Sequence, residues 1–289
     1  MTVAKFLNLK VLYKMEGPGT NAKPFLKWAG GKTSLLKEIL PLVPSLDNGG
    51  CYWEPFLGGA SVFFSINPKK AVLSDLNCKL IKCYSDVRNH PEEVFDYLAY
   101  HSKCHSSEHY QRVRHDFNGN DEGVAQSARF IYINKACFNG IYRENRNGNF
   151  NVPYGKKKKP ALPTLQELID ISKVLQKAVL TACTFQDLIG QIGKGDFVYL
   201  DPPYTVMHDN NGFIKYNAKL FSWEDQQNIL GLIKQLSAQG TKVLISNAAH
   251  YSIKELYRDF DIIEVSRASC VSADKFKRSR VAEYLIKNY

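Results

Sequence analysis

A chain of 289 residues and 32.8 kDa with 44% hydrophobic residues has the size of one large domain or of a domain with a substantial insertion, and the composition of a soluble globular protein. Its longest apolar stretch falls short of the roughly 20 residues a span needs, and Met1–Tyr13, broken by Lys5, Asn8 and Lys10, lacks the core and cleavage site of a signal peptide, so the expected compartment is the cytoplasm. A net charge of +10, from 38 basic and 28 acidic residues, favours a polyanionic partner, because Lys and Arg release counterions when they neutralise phosphates.

Residues 1–22 form an N-terminal extension closed by the linker Gly17-Pro18-Gly19-Thr20-Asn21. Leu35, Leu36, Ile39, Leu40 and Val43 then fall at helical spacing. Cys51-Tyr52-Trp53 predicts a short strand entering Glu54-Pro55-Phe56-Leu57-Gly58-Gly59, with a helix over Ser61–Ile66 and a second strand at Ala71–Asp75. Residues 80–135 read as helical. The stretch from Phe138 to Pro163 is rich in Asn, Gly and Pro, and Asn147-Gly148 marks a hairpin. A helix over Leu165–Gln176 follows, then strands at Val179–Thr181, Phe197–Leu200, Val243–Ser246, Asp261–Val265 and Val281–Asn288, with helices near Thr184–Gln191 and Trp223–Ala238. The pattern is an α/β sheet interrupted by a mainly helical insertion carrying a β-hairpin. The expected division is 23–85 and 164–289 for the two parts of the sheet domain and 86–163 for the insertion.

The chemistry concentrates at Asp201-Pro202-Pro203-Tyr204, directly after the buried-strand run Phe197–Leu200. Ligands of open α/β sheets bind at the carboxyl ends of strands. Two prolines fix φ and hold Asp201 extended, so an acceptor and an aromatic ring are presented stiffly at one point, as a flat, amine-bearing base requires. Gly58-Gly59 followed by Asp75 suits a nucleoside half-sheet, with the acid on the ribose hydroxyls; a plain turn and a helix cap fit the same residues equally. Lys27-Trp28-Ala29-Gly30-Gly31-Lys32-Thr33 approximates a phosphate loop, but Leu26 stands where that motif needs glycine. From Lys135 to Lys159 there are seven basic residues and one acid, Glu144. Interleaved aromatic and amide side chains make this stretch a candidate nucleic-acid surface, whereas four lysines alone suit a solvated loop. The seven cysteines form no Cys-x-x-Cys pair, and nothing completes a tetrahedral site around His101, Cys104 and His105, so no metal is expected.

These motifs, in this order, resemble the Dam-type (alpha-group) DNA adenine-N6 methyltransferases. The resemblance rests on Lys23–Lys32, Trp53–Gly59, Leu73–Asn77, Phe138–Pro160 with its core Phe150-Asn151-Val152-Pro153-Tyr154-Gly155, and Asp201–Tyr204. It implies a Rossmann-like methyltransferase sheet with an inserted target-recognition domain in 86–163, S-adenosyl-L-methionine as donor, and double-stranded DNA as partner, with no obligate protein partner. It further implies Trp28, Lys32, Glu54, Phe56, Gly58, Gly59, Asp75, Phe185 and Asp201 around the cofactor. Asp201, Pro202, Pro203 and Tyr204 would act on a flipped-out adenine. Phe138, Asn139, Ile141, Arg143 and Lys156, Lys157, Lys158 and Lys159 would meet DNA, and GATC is the expected site, a longer site such as GATATC the alternative. From the residues alone, an RNA or protein amino-methyltransferase and a non-catalytic nucleic-acid-binding protein remain competing readings.

Overall fold

Apolar runs that terminate in acids and glycines become the strands. The computed structural model describes residues 22–46, 49–119, 122–205, 221–268 and 280–289, so the N-terminal extension lies, up to residue 21, outside the described residues. Strands β1 (Tyr52–Glu54), β2 (Ala71–Ser74), β3 (Ala178–Thr181), β4 (Phe197–Leu200), β5 (Lys242–Ala248), β6 (Asp261–Ala268) and β7 (Arg280–Lys287) form one sheet in the order β3-β2-β1-β4-β5-β7-β6. The pairs from β3 through β5 are parallel, whereas β7 runs antiparallel to both β5 and β6.

Period two in the strands separates two cores. Tyr52, Phe197, Tyr199, Leu244 and Leu285 enter one, and Trp53, Val198, Leu200, Val243, Ile245 and Ile286 enter the other. Burial on both faces explains why these strands read as continuous apolar runs without alternation. The first face is covered by α2 (Ser61–Ile66), α3 (Cys78–Asn89) and, beyond them, α4 (Pro91–Lys103), α5 (Ser107–Phe117), α6 (Val124–Ala136) and α7 (Leu165–Leu175). The second is covered by α8 (Phe185–Leu188), α9 (Trp223–Ala238) and α10 (Tyr251–Leu256). Thr164–Glu167, Thr184–Asp187 and Ser222–Asp225 each close a capping box, which fixes where α7, α8 and α9 begin.

Two local expectations change. The helix over Leu35–Val43 is broken into a 3₁₀ turn, the α-turn α1 (Leu36–Ile39) and a second 3₁₀ turn at Leu40–Leu42; Pro41 has no N–H for the Lys37 carbonyl. The hairpin at Asn147-Gly148 is a chain reversal held by two isolated bridges, Glu144↔Phe150 and Cys137↔Tyr154. Its flanks lack a β-branched run to extend a ladder. Helix α3 runs unbroken through positions 85 and 86.

The chain leaves β1 for β2 and later returns to β4 on the other side of β1. Between the carboxyl ends of β1 and β4 lies the topological switch point, the place where open α/β sheets bind their ligands.

Candidate active site

Asp201 follows β4 directly, at that switch point. The Lys32 ammonium lies 2.7 Å from each of its carboxylate oxygens, and the Ser246 hydroxyl on β5 donates to Oδ1 at 2.8 Å. Lys32 is only 3% exposed; its ammonium also donates to the Gly30 carbonyl at 2.7 Å. Its backbone is tied to α2, the Lys32 amide donating to Ser61 Oγ at 3.2 Å. A buried ammonium survives only with such partners. The Tyr204 ring lies under this ammonium, 5.2 Å from its centroid, and its hydroxyl donates to Glu283 Oε2 at 2.6 Å. Burial pushes the Asp201 carboxyl above its ordinary range, and Lys32 opposes that rise.

Glu54, at the end of β1, is turned inward rather than lining open space: it is buried, and Oε2 accepts from Tyr52 Oη at 2.7 Å and the Phe63 amide at 3.1 Å. Burial pushes its carboxyl up to about 8, with the Tyr52 bond opposing and the Asp201 charge adding. An unfolded carboxyl releases its proton near the ordinary 4.5 while the folded one keeps it to about 8. The unfolded state therefore gains as pH rises through that window, and stability falls, by at most roughly 1.4 kcal/mol per pH unit. Glu54→Gln, a mimic of the neutral acid, is expected to flatten part of this decline. Urea titrations at pH 5.5 and 7.5 check it, and an undiminished slope in the variant refutes the assignment.

The second wall is built on Gly58 and Asp75. Asp75 accepts the Gly58 amide and the Asn77 amide, each at 3.0 Å, and Tyr84 of α3 donates to the Gly58 carbonyl at 3.0 Å. Burial raises the Asp75 carboxyl against those amide bonds. Gly58 has φ +47°, and a Cβ there would lie 2.7 Å from Trp28 Cδ1; the glycine is required by Trp28 itself. Trp28 stacks on Tyr142 with centroids 5.2 Å apart, and Tyr142 stacks on Phe130 at 5.1 Å. Asn134 of α6 clamps the preceding residue, accepting from the Lys27 amide at 2.9 Å and donating to its carbonyl at 2.8 Å. The insertion thus fixes the position of Trp28. Phe56 is half-buried against Phe221, whereas Phe185 is buried in the second core.

On the insertion, Phe138 is 52% exposed. Asn139 takes φ +55°, Ile141 is half-buried and Arg143 is exposed, its Nε donating to Asn151 at 2.8 Å. Lys156, Lys158 and Lys159 face outward. Lys157 differs: it is half-buried, its ammonium donates to the Lys135 carbonyl, and burial lowers its pKa, with the Lys27 charge adding. His105 holds this segment, one ring nitrogen 2.9 Å from the Lys157 carbonyl and the other 2.8 Å from Tyr132 Oη. His101 pairs with His109 at 3.0 Å.

Sequence reasoning did not pick out Ser246, Glu283, Asn134 or Tyr84. The first three carried a signal, a polar residue inside an apolar segment: Leu244-Ile245-Ser246, Ala282-Glu283-Tyr284 and Ile131-Tyr132-Ile133-Asn134.

A sheet that is parallel from β3 through β5, with β7 reversed between β5 and β6, is the fold of S-adenosylmethionine-dependent methyltransferases. A model of the D12 class N6 adenine-specific DNA methyltransferases matches residues 28–269, and the chain belongs to that family. It is 35% identical over 275 residues to the type II methyltransferase M1.LlaDCHI of Lactococcus lactis subsp. cremoris, covering 93% of this chain and 96% of that protein. It is 35% identical to the type II methyltransferase M.MjaIII of Methanocaldococcus jannaschii, covering 92% and 99%, and 33% identical to a DNA adenine methylase of Serratia marcescens, covering 91% and 97%. The protein is an adenine-specific DNA methyltransferase. Among the described residues no helix is long and apolar enough to cross a membrane.

Proposed function

We propose that the chain transfers the methyl group of S-adenosyl-L-methionine to N6 of an adenine extruded from duplex DNA, within GATC. The observation that carries this reading is the pairing of Asp201 with Lys32 and Ser246 at the switch point, beside the Trp28–Gly58–Asp75 wall. The residues suit the cofactor. Asp75, half-buried at the end of β2 with its oxygens held by the Gly58 and Asn77 amides, is an acceptor placed to meet ribose hydroxyls. When bound, the cofactor supplies an electrophilic methyl group on a sulfonium.

The protein's task is the amine. Adenine N6 is a poor nucleophile because its lone pair is delocalised into the ring. Asp201 and the Pro202 carbonyl accept its two N–H bonds, favouring a pyramidal nitrogen whose lone pair is free to attack. Preorganised acceptors and alignment supply the rate. Tyr204, its hydroxyl anchored on Glu283, stacks on the base, a contact worth about 1–3 kcal/mol that offsets extrusion. Recognition is assigned to residues 86–163. Arg143 reads guanine, Phe138 enters the gap in the stack with Asn139 and Ile141 beside it, and Lys156, Lys158 and Lys159 track phosphates. Lys157 supports that run from within rather than facing the backbone.

The test is transfer of labelled methyl to short duplexes containing GATC, GATATC or neither. Label at adenine N6 in the GATC duplex alone is the expected result. Label only in GATATC overturns the site and keeps the class. No label in any duplex, with the donor bound, redirects the search to RNA or protein amines.

A further inference from the structure

Glu283 projects from β7, opposite Ala248 of β5, and is fully buried. One of its oxygens, Oε2, touches two members of the site: the Tyr204 hydroxyl at 2.6 Å and, at 3.9 Å, the Lys32 ammonium. Lys32 itself spans both Asp201 oxygens at 2.7 Å, so in this arrangement the ammonium occupies the acceptor that an incoming amine needs. Lys32 cannot retreat to water, because it is buried. The anionic group within reach is Glu283, and closing 3.9 Å to an ordinary charge-assisted bond takes a shift of about 1 Å.

We propose that Glu283 is a positioning residue for methyl transfer: it is the second seat of the Lys32 ammonium, which moves toward it when the target amine takes Asp201. The same carboxylate holds the Tyr204 ring through its hydroxyl, so amine capture and ring placement share one anchor. Without the negative charge at 283, Lys32 stays on Asp201 and competes with the amine. The inference rests on Asp201 as the amine acceptor, as proposed above.

The test is a series at position 283 in the full chain: wild type, Glu283→Asp and Glu283→Gln. Gln keeps an acceptor for the Tyr204 hydroxyl but lacks the charge; Asp keeps the charge on a shorter arm. The expected order of kcat is wild type, then Asp, then Gln, with Gln at least about tenfold below wild type. Duplex KM, and the Kd of S-adenosylmethionine by calorimetry, stay within about threefold of wild type. A second readout needs no turnover. With S-adenosylhomocysteine bound, the ratio of affinities for duplexes carrying adenine or purine at the target position, purine lacking the amine, shifts toward purine in Glu283→Gln. A flat kcat series, or a loss that tracks donor affinity and thermal stability, overturns the proposal. If the Gln variant does not fold, the Asp variant decides, and a wild-type kcat with an unchanged affinity ratio refutes it. Asp201→Asn in the same assays separates the two readings. Near-wild-type kcat there sinks the role of Asp201, whereas an inactive Asp201→Asn beside an unaffected Glu283→Gln sinks only that of Glu283.

Discussion

Asp201→Asn is expected to lower methyl transfer by about 10²- to 10³-fold, the order found when a preorganised polar partner of a transition state is removed. The substitution is isosteric, and its amide oxygen can still accept from Lys32 or Ser246, so the strand end and the two prolines keep their course. What disappears is the charge. The target nitrogen becomes positive as the methyl arrives, and an amide answers that charge far more weakly than a carboxylate in a site shielded from water. Breaking a buried pair typically costs about 3–5 kcal/mol of stability, but Lys32 keeps the Gly30 carbonyl and has Glu283 near it, so the loss should sit at or below the low end. Duplex affinity is expected to stay within about threefold, because the phosphate contacts proposed for Lys156, Lys158 and Lys159 are untouched. Single-turnover rates and fluorescence anisotropy separate the two effects. A variant that methylates within about tenfold of wild type would remove Asp201 from the chemistry.

The sheet was legible because its strands are buried on both faces. Phe197–Leu200 and Val243–Ser246 are short β-branched and aromatic runs with no helical alternative of comparable length. Their order was less accessible: β1 pairs with β4 rather than β3, Tyr52 beside Phe197 across 145 positions of chain, which local pattern does not carry. At the site, Asp201, Asp75 and Trp28 stood out by motif. Glu283 and Ser246 did not, since each is a lone polar residue in a strand and only the antiparallel return of β7 beside β5 brings Glu283 to the site. At Gly58 the fold adds a reason for glycine that the local sequence does not carry, since a Cβ there would meet the Trp28 ring. Lys157 was read as one of four equal lysines. Its backbone is drawn in by His105, which turns its side chain toward the Lys135 carbonyl. Such a reversal comes from a contact between residues 52 positions apart in the chain.

Asp75 carries the other large expectation. Asp75→Ala should weaken binding of S-adenosylmethionine by about 100-fold or more, equivalent to roughly 2.7 kcal/mol. Two contributions add. The ribose hydroxyls lose their acceptor, and the Gly58 and Asn77 amides lose theirs; an orphaned, partly buried amide costs about 1–3 kcal/mol. The Gly58 amide matters more, because that residue sits at φ +47° against the Trp28 ring. Once its hydrogen bond to Asp75 is gone, the turn can relax and Trp28 loses the surface it packs on. Asp75→Asn, which can still accept one of the two amides, should lie between the variant and wild type. Duplex binding without donor is expected to change far less in both, since the lysines proposed to meet phosphates, Lys156, Lys158 and Lys159, face outward away from this turn. Calorimetry with the donor alone, beside anisotropy with DNA alone, reads the two independently. Donor affinity that is indifferent to Asp75, in a chain that still binds DNA, would return Gly58-Gly59-Asp75 to a structural turn and place the cofactor elsewhere.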